Sequence, residues 1–147
     1  MTAAIFGLVG VIIGALISSV TNFFLQKRKE DLAARVAARL VRDELYIIAI
    51  WIEDLLSYEN LNEDQIKQIK TRTNTESWTE QRVHLAAIMN YSAFADASMA
   101  VGAANNFKYW LITQPTAINL DDKNKSFLKN ILDNLRPGLE ALKEVAK

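Results

Sequence analysis

The longest uncharged stretch of the chain is at its beginning. Residues 1–26 contain no Asp, Glu, Lys or Arg, so all 17 basic and all 17 acidic residues lie between Lys27 and Lys147. Within this stretch, 13 of the 23 residues from 3 to 25 are Ile, Leu, Val or Phe. A helix of that length extends about 34 Å, and the hydrocarbon core of a bilayer is about 30 Å thick. We therefore predict that residues 1–26 form a transmembrane helix.

Two other structures accommodate an apolar segment of this kind. A cleaved signal peptide has a basic start and a shorter apolar run, whereas no Lys or Arg precedes this run and the run is longer. A buried core helix of a soluble protein is the other alternative, but such helices rarely lack charge over 26 residues. The spanning helix fits the pattern better than either.

Basic residues follow the apolar segment at once. Lys27, Arg28 and Lys29 form a juxtamembrane basic cluster, and the segment before them carries no Lys or Arg. By the positive-inside rule this asymmetry places the C-terminal part in the cytoplasm and the N-terminus outside. We predict a single-pass protein of the bacterial inner membrane, with the lipid bilayer as its first partner.

Small residues recur along one side of the predicted span. Gly10, Gly14 and Ser18 are four positions apart, and Gly7 lies on the same side. Small residues at this spacing allow two helices to approach closely in lipid. The pattern predicts transmembrane helix packing at these four residues and therefore a homo-oligomer, although glycine is common in membrane helices in any case.

Residues 27–147 read as a cytoplasmic helical domain, so the predicted fold class is all-α. No Gly or Pro occurs between Ala15 and Val101, and the transmembrane helix is therefore expected to continue to about Ser57. No segment shows the sustained alternation of a strand. We predict a bundle of about four helices.

Local signals place the ends of those helices. A short helix is expected at 63–71, and Ser77 with Glu80 has the spacing of a capping box for a helix starting at Trp78. A further helix should cover 91–112, with a bend or end near Gly102. Asn119 is expected to cap the last helix, which the Pro137-Gly138 pair should kink or split.

The residues that carry chemistry are sparse. The chain has no cysteine, one histidine and a formal net charge of zero, which excludes thiolate sites and leaves no basic footprint for nucleic acid. His84 follows Arg82 too closely for the Arg-x4–6-His pattern of helical ribonucleases. The adjacent acids Asp121-Asp122 and Glu63-Asp64 point apart on a helix and suit helix starts. We predict no enzyme activity, no metal and no cofactor.

Two further groups of side chains are expected to be structural. Arg35, Arg39 and Arg42 lie beyond the Debye length from the predicted membrane surface, so they form a solvated face or pair with acids on other helices. Six aromatic residues at helical spacing indicate core packing rather than a ligand-binding box: Trp78, Tyr91, Phe94, Phe107, Tyr109 and Trp110.

Two short motifs carry a resemblance. The run Trp78-x3-Arg82-x2-Leu85-Ala86, with Phe94 and Tyr109 after it, and the run Arg39-x2-Arg42-Asp43-Glu44-Leu45 resemble uncharacterised bacterial single-span membrane proteins with an Arg-rich juxtamembrane helix and a small helical cytoplasmic domain. The resemblance implies the same layout and supplies no functional residues. In layout alone, the chain is also similar to single-span helical effectors of bacterial antiphage systems.

These patterns favour a membrane-anchored, non-enzymatic helical interaction module that self-associates and binds a protein partner in the cytoplasm. The alternative is an oligomeric pore-forming or membrane-depolarising effector of the bacterial defence type. An enzyme whose site forms only in the fold, and a phage lysis factor, remain further alternatives.

Overall fold

The computed structural model describes residues 2–73, 75–114 and 117–147, with side chains described from Val11 onward. The described chain is all-α, with five helices and one pair of two-residue strands. It divides into two compact units, Met1–Ala33 and Ala34–Lys147. The core of the protein lies in the second unit, and the first consists of part of a single helix.

The first helix, α1, is continuous over Thr2–Leu55. The prediction that the N-terminal helix continues past the basic cluster is confirmed. The physical reason is the absence of breakers: after Gly14, every residue up to Leu55 is a type that a helix tolerates, and none is Gly or Pro.

Six further elements follow in the second unit. Strand β1 covers Asn60–Leu61, α2 Glu63–Arg72, α3 Glu76–Ile88, α4 Tyr91–Thr113, β2 Ile118–Asn119 and α5 Asp122–Val145. The strands pair antiparallel, with Asn60 opposite Asn119 and Leu61 opposite Ile118. This ribbon was not predicted, because two residues are too few for a period-two pattern. It joins two loops and leaves the fold class unchanged.

Helix α2 begins with a capping box that the sequence also encodes. The Asn62 side chain accepts from the backbone N–H of Gln65 at 2.9 Å, and the Gln65 side chain accepts from the Asn62 backbone N–H at 3.0 Å. The reciprocal bonds satisfy two amides that have no partner within the helix. The acids Glu63 and Asp64 lie in the first turn, as predicted.

The predicted starts of α3 and α5 were wrong by two residues. Helix α3 begins at Glu76 rather than Trp78, because the Ser77 hydroxyl bonds to Glu44 of α1 instead of capping its own helix. Helix α5 is capped by Asp121, whose side chain accepts from the Asn124 backbone N–H at 2.8 Å. Asn119 lies in β2 instead, where strand pairing holds its backbone.

Within the described chain, the predicted end of α4 near Gly102 and the predicted split of α5 at Pro137-Gly138 do not occur. Helix α4 continues through Gly102, and α5 continues through Pro137 and Gly138 without a split. A proline removes one backbone hydrogen bond and crowds the preceding turn. Buried residues on both sides of it, from Leu128 to Leu135 and then at Leu142, hold the two halves of α5 on the same core.

Helices α4 and α5 form the tightest contact of the bundle. The face of α4 toward the core carries alanines, four of which are at most 7% exposed: Ala97, Ala100, Ala103 and Ala104. On α5, Gly138 lies so close to this face that a built Cβ would be 2.4 Å from the Ala100 Cβ. Small side chains on both helices allow this approach, in the way that ridges pack into grooves.

One side of α1 also contributes to the core. Along it, buried residues recur at alternating intervals of four and three, with Ala37 and Ala49 buried beside them: Ala34, Ala38, Val41, Leu45, Ile48, Ile52 and Leu55. This is the spacing of a helix packed along other helices. Leu85, Phe107 and Leu111 complete the same cluster.

Candidate functional site

The N-terminal segment of α1 exposes large apolar side chains over most of its circumference. Nine residues between 11 and 25 are large hydrophobics that are 50–71% exposed: Val11, Ile12, Ile13, Leu16, Ile17, Val20, Phe23, Phe24 and Leu25. With 100° between successive residues, they cover most of the circumference of the helix. A helix that is apolar on nearly all sides is unsuited to water and requires an apolar medium around it.

The small-residue positions occupy the remaining side of this segment. Gly14 and Ser18 are exposed, and no described atom lies within 4 Å of a Cβ built on Gly14. Gly7 and Gly10 belong to the part of α1 of which only the backbone is described. Thr21 follows Ser18 by three positions and is exposed as well. From Gly14 to Thr21, this side of the segment therefore carries small side chains.

One finding does not support the predicted transmembrane helix: among the described residues, no helix is both long enough and apolar enough to cross a membrane. The basic cluster Lys27, Arg28 and Lys29 is exposed on α1. Beside it, the Gln26 side chain donates to Glu30 at 3.0 Å.

The arginines further along α1 contact the end of α5. Arg39 Nε donates to the backbone carbonyl of Ala146 at 3.1 Å, and Arg35 donates to that of Lys147 at 3.4 Å. The last carbonyls of a helix lack partners within it and carry partial negative charge, which a guanidinium compensates. The prediction was a solvated face or pairing with acids on other helices, whereas Arg35 and Arg39 donate to backbone oxygens at the end of α5.

A carboxylate on α1 caps another helix in the same way. Glu44 accepts from the Ser77 hydroxyl at 2.7 Å and from the Ser77 backbone N–H at 3.2 Å. Ser77 is the second residue of α3, so its amide has no acceptor within the helix. Negative charge is favourable at this end of the dipole. No sequence signal pointed to the contact, because the two residues are 33 positions apart.

The aromatic residues are divided between the core and the surface. Trp78 packs on Phe94 with ring centroids 5.3 Å apart, and Trp110 lies between Phe107 and Phe127 at 6.1 and 5.8 Å. These rings build the core, as predicted. Two tyrosines from the predicted core set are instead solvent-facing, Tyr91 at 90% and Tyr109 at 71% exposure.

The side chains that could carry out chemistry do not lie together in the described part of the chain. His84 is exposed on α3, as are Arg82 and Val83 before it. Asp121 and Asp122 occupy the cap and first turn of α5. In the described part of the chain, no three His, Asp or Glu side chains are grouped closely enough to hold a metal ion.

An open groove within the second unit has matched charges. It has a volume of about 470 Å³ and is lined by Arg42, Asp43, Tyr46, Leu139, Glu140 and Lys143. Arg42 pairs with Asp43 at 2.8 Å, and Lys143 pairs with Glu140 at 3.2 Å. Because each cation already has an anion beside it, the groove offers no strong charge to a ligand.

Comparison of the chain with known protein families, with curated proteins and with solved structures gives no significant match. The resemblance to single-span bacterial proteins therefore stays a prediction.

Proposed function

We propose that this chain is a membrane-anchored helical interaction module that self-associates at the bacterial inner membrane and works without catalysis. One observation carries the proposal: the uncharged segment over residues 1–26, whose large side chains from Val11 to Leu25 are exposed nearly all around α1. Burial of a large aliphatic or aromatic side chain contributes roughly 1.5–3 kcal/mol. Nine half-exposed side chains therefore leave about 10 kcal/mol to be gained.

A bilayer is the medium that covers such a surface completely. A single protein partner covers one side of a helix, whereas lipid contacts the whole circumference. The uncharged stretch of 26 residues exceeds the roughly 20 that a span requires. The basic residues Lys27, Arg28 and Lys29 then set the orientation, with the helical domain in the cytoplasm.

The small-residue side supports self-association within the membrane. Gly7, Gly10, Gly14 and Ser18 have the spacing that lets helices approach closely in lipid. Of these, Gly14 has open space around its Cβ position, so a neighbouring helix meets no side chain there. Among the described residues of the helical domain, no set of His, Asp and Glu side chains is grouped closely enough to hold a metal ion, and we propose that the work of the domain is to bind a cytoplasmic protein.

The test uses the full chain in bacterial cells. Membranes are washed at alkaline pH, and the distribution of the protein is compared with that of an Ile13→Glu, Ile17→Glu double variant. We expect the wild-type chain to stay in the membrane and the variant to be released, because two charges at mid-span cost several kcal/mol. A wild-type chain recovered as a water-soluble monomer refutes the anchor.

Orientation is measured in the same cells. The chain has no native cysteine, so Ala3→Cys and Lys143→Cys each give one labelling site. We expect an impermeant maleimide to label Ala3→Cys in intact cells and Lys143→Cys only after lysis. The reverse pattern contradicts the proposed orientation.

A second candidate function is an oligomeric pore that depolarises the membrane. The observation that favours it is the polar continuation of the small-residue side, where Ser18, Thr21 and Asn22 are all exposed on α1. Such residues line water more easily than lipid. Membrane potential measured on expression separates the two candidates: the pore requires a loss of potential, and the interaction module leaves it unchanged.

A further inference from the structure

A second apolar surface lies on α1 within the unit Ala34–Lys147. Val36, Leu40, Ile47 and Ile50 are 54, 45, 43 and 46% exposed. They lie opposite the buried residues of the same helix, where a bundle helix normally carries polar side chains. We call these four residues the outer stripe.

The outer stripe has the spacing of a helix–helix seam. With Asp43 included, its positions 36, 40, 43, 47 and 50 are separated by four, three, four and three residues. That alternation is the heptad pattern of a coiled coil, in which each side chain fits between four residues of a facing helix. The partner it predicts is a helix with the same repeat.

We infer that the outer stripe packs against the outer stripe of a second copy of this chain, with the two helices parallel. The inference rests on the proposed membrane anchor. Two copies anchored by the same N-terminal segment have the same orientation, so their equivalent residues face each other. Because a second copy has the same sequence, its α1 carries the same heptad spacing.

The size of the stripe favours an anchored partner over a soluble one. A stable complex between free proteins buries about 800 Å² on each side, and four half-exposed aliphatic side chains fall well short of that area. A shared membrane anchor compensates for the small area, because linking two molecules raises the effective concentration for the second contact to roughly millimolar. A soluble protein has no such advantage at this surface.

Asp43 gives the seam a specific signature. It is the one charged member of the repeat, and its partner within the chain is Arg42 at 2.8 Å. In a parallel pair it meets Asp43 of the second copy, and the two arginines lie beside both carboxylates. A polar residue at one seam position fixes register at a cost in affinity. Replacing Asp43 with Leu therefore strengthens the association, which a solvated surface residue would not do.

Cysteine cross-linking of the full chain in membranes tests the inference. Single variants Val36→Cys, Leu40→Cys and Ile47→Cys are compared with Val83→Cys, whose residue is 70% exposed on α3 and outside the stripe. Because the native chain has no cysteine, each variant reports one position. We expect oxidation to give dimers at the three stripe positions and at most a tenth as much at the control.

Two substitutions sharpen the result. In the Leu40→Cys background, Ile47→Asp should lower the dimer yield about tenfold or more, since it places an unpaired charge in the seam. Asp43→Leu in the same background should raise it. Val83→Asp is the matched control and should change neither yield. Equal yields for Ile47→Asp and Val83→Asp overturn the inference.

The outcomes separate this inference from the proposed function. Cross-links at Gly14→Cys without any at the stripe overturn the outer stripe and leave the membrane-associated oligomer intact. Adducts of the stripe cysteines to another protein or none at all, in a chain that remains in the membrane, overturn the second copy as occupant. Stripe dimers in a chain found free in solution support the stripe and refute the anchor.

Discussion

Gly138 gives the most exacting test of the bundle, because adding one methyl group there sets two known effects against each other. Replacing a helical glycine with alanine stabilises a helix by roughly 1 kcal/mol. At Gly138, however, the added Cβ would lie 2.4 Å from the Ala100 Cβ and 2.7 Å from the Asp96 carbonyl oxygen. Both distances are far below the 3.5–4.0 Å at which carbon atoms attract.

We expect the steric clash at Gly138→Ala to outweigh the gain in helix propensity. Neither contact atom is the end of a flexible side chain, so α4 and α5 must separate by about 1 Å, and a gap of that size forfeits a quarter to a half of each contact between them. Overpacking of this kind costs about 1–3 kcal/mol, and close contact with backbone places Gly138→Ala at the upper end. After the helix-propensity gain, we expect a net loss of about 2 kcal/mol.

Gly102 is the matched control. It also lies inside a helix, but no described atom is within 4 Å of a Cβ built on it. Gly102→Ala should therefore show only the propensity gain and stabilise the protein by about 0.5–1 kcal/mol. The two variants make the same chemical change and are predicted to have opposite signs.

Thermal unfolding of the full chain, followed by helical circular dichroism in mild detergent, measures both. For a domain of this size, 1 kcal/mol corresponds to roughly 3–6 °C in Tm. We expect Gly138→Ala to lower Tm by about 6–12 °C and Gly102→Ala to raise it by a few degrees. If Gly138→Ala is as stable as the parent, the close approach of α4 and α5 is refuted.

Three further predictions concern contacts at helix ends. Arg39→Ala removes the donor to the last turn of α5 and should lower the free energy of unfolding in urea by about 1 kcal/mol. Glu44→Ala removes the carboxylate that caps α3 and should cost about 1–2 kcal/mol in the same assay, whereas Glu53→Ala, at an exposed position of α1, should be near neutral. The hydrogen bond and charge of Lys147 hold the pKa of Glu144 below its usual value, so the small contribution of this exposed pair to stability is present above the usual carboxyl pKa and is lost as the pH falls through the lowered pKa. NMR titration of Lys147→Ala should show the pKa of Glu144 rising.

The elements that sequence predicted well are those fixed by local chemistry. The all-α class follows from the scarcity of breakers and from helical spacing of apolar residues. A short helix was predicted at 63–71, and the structure shows it over Glu63–Arg72. The capping residues Asn62 and Asp121 also act within three positions of their partners, but neither was predicted, because Asn119 was expected to cap α5 and no cap was assigned to α2.

The elements that sequence missed depend on distant partners. Ser77 has the spacing of a capping box, but Glu44 from another helix takes its hydroxyl, and the start of α3 moves accordingly. Pro137 has the chemistry of a helix breaker, yet the core holds α5 together on both sides of it. Local preferences of about 1–3 kcal/mol are overridden when several buried side chains act together.

The candidate surfaces show the same division. The uncharged N-terminal segment and its small-residue side are visible as composition and spacing. The helical spacing of Val36, Leu40 and Ile47 is visible as well, but the sequence does not show that this side faces away from the core, because Leu40, Ile47 and the buried Leu45 are equally apolar. Only burial separates them: Leu45 is 1% exposed, whereas Leu40 and Ile47 are 45 and 43% exposed. Helix α1 has two apolar sides with heptad spacing, and its own bundle buries only one of them. Only the structure shows which of the two sides stays exposed.

In the anchored dimer that we propose, the charge at position 43 also limits indiscriminate aggregation. A continuous apolar stripe would associate with any exposed helix, and the charge at position 43 interrupts the seam at its centre. The Asp43 carboxylate weakens any pairing in which it faces an apolar side chain of the other helix. It costs least in the register in which Arg42 of each chain lies beside both carboxylates. The carboxylate thus reduces affinity while restricting the partner, which suits a contact that becomes significant only when the membrane has already brought two copies together.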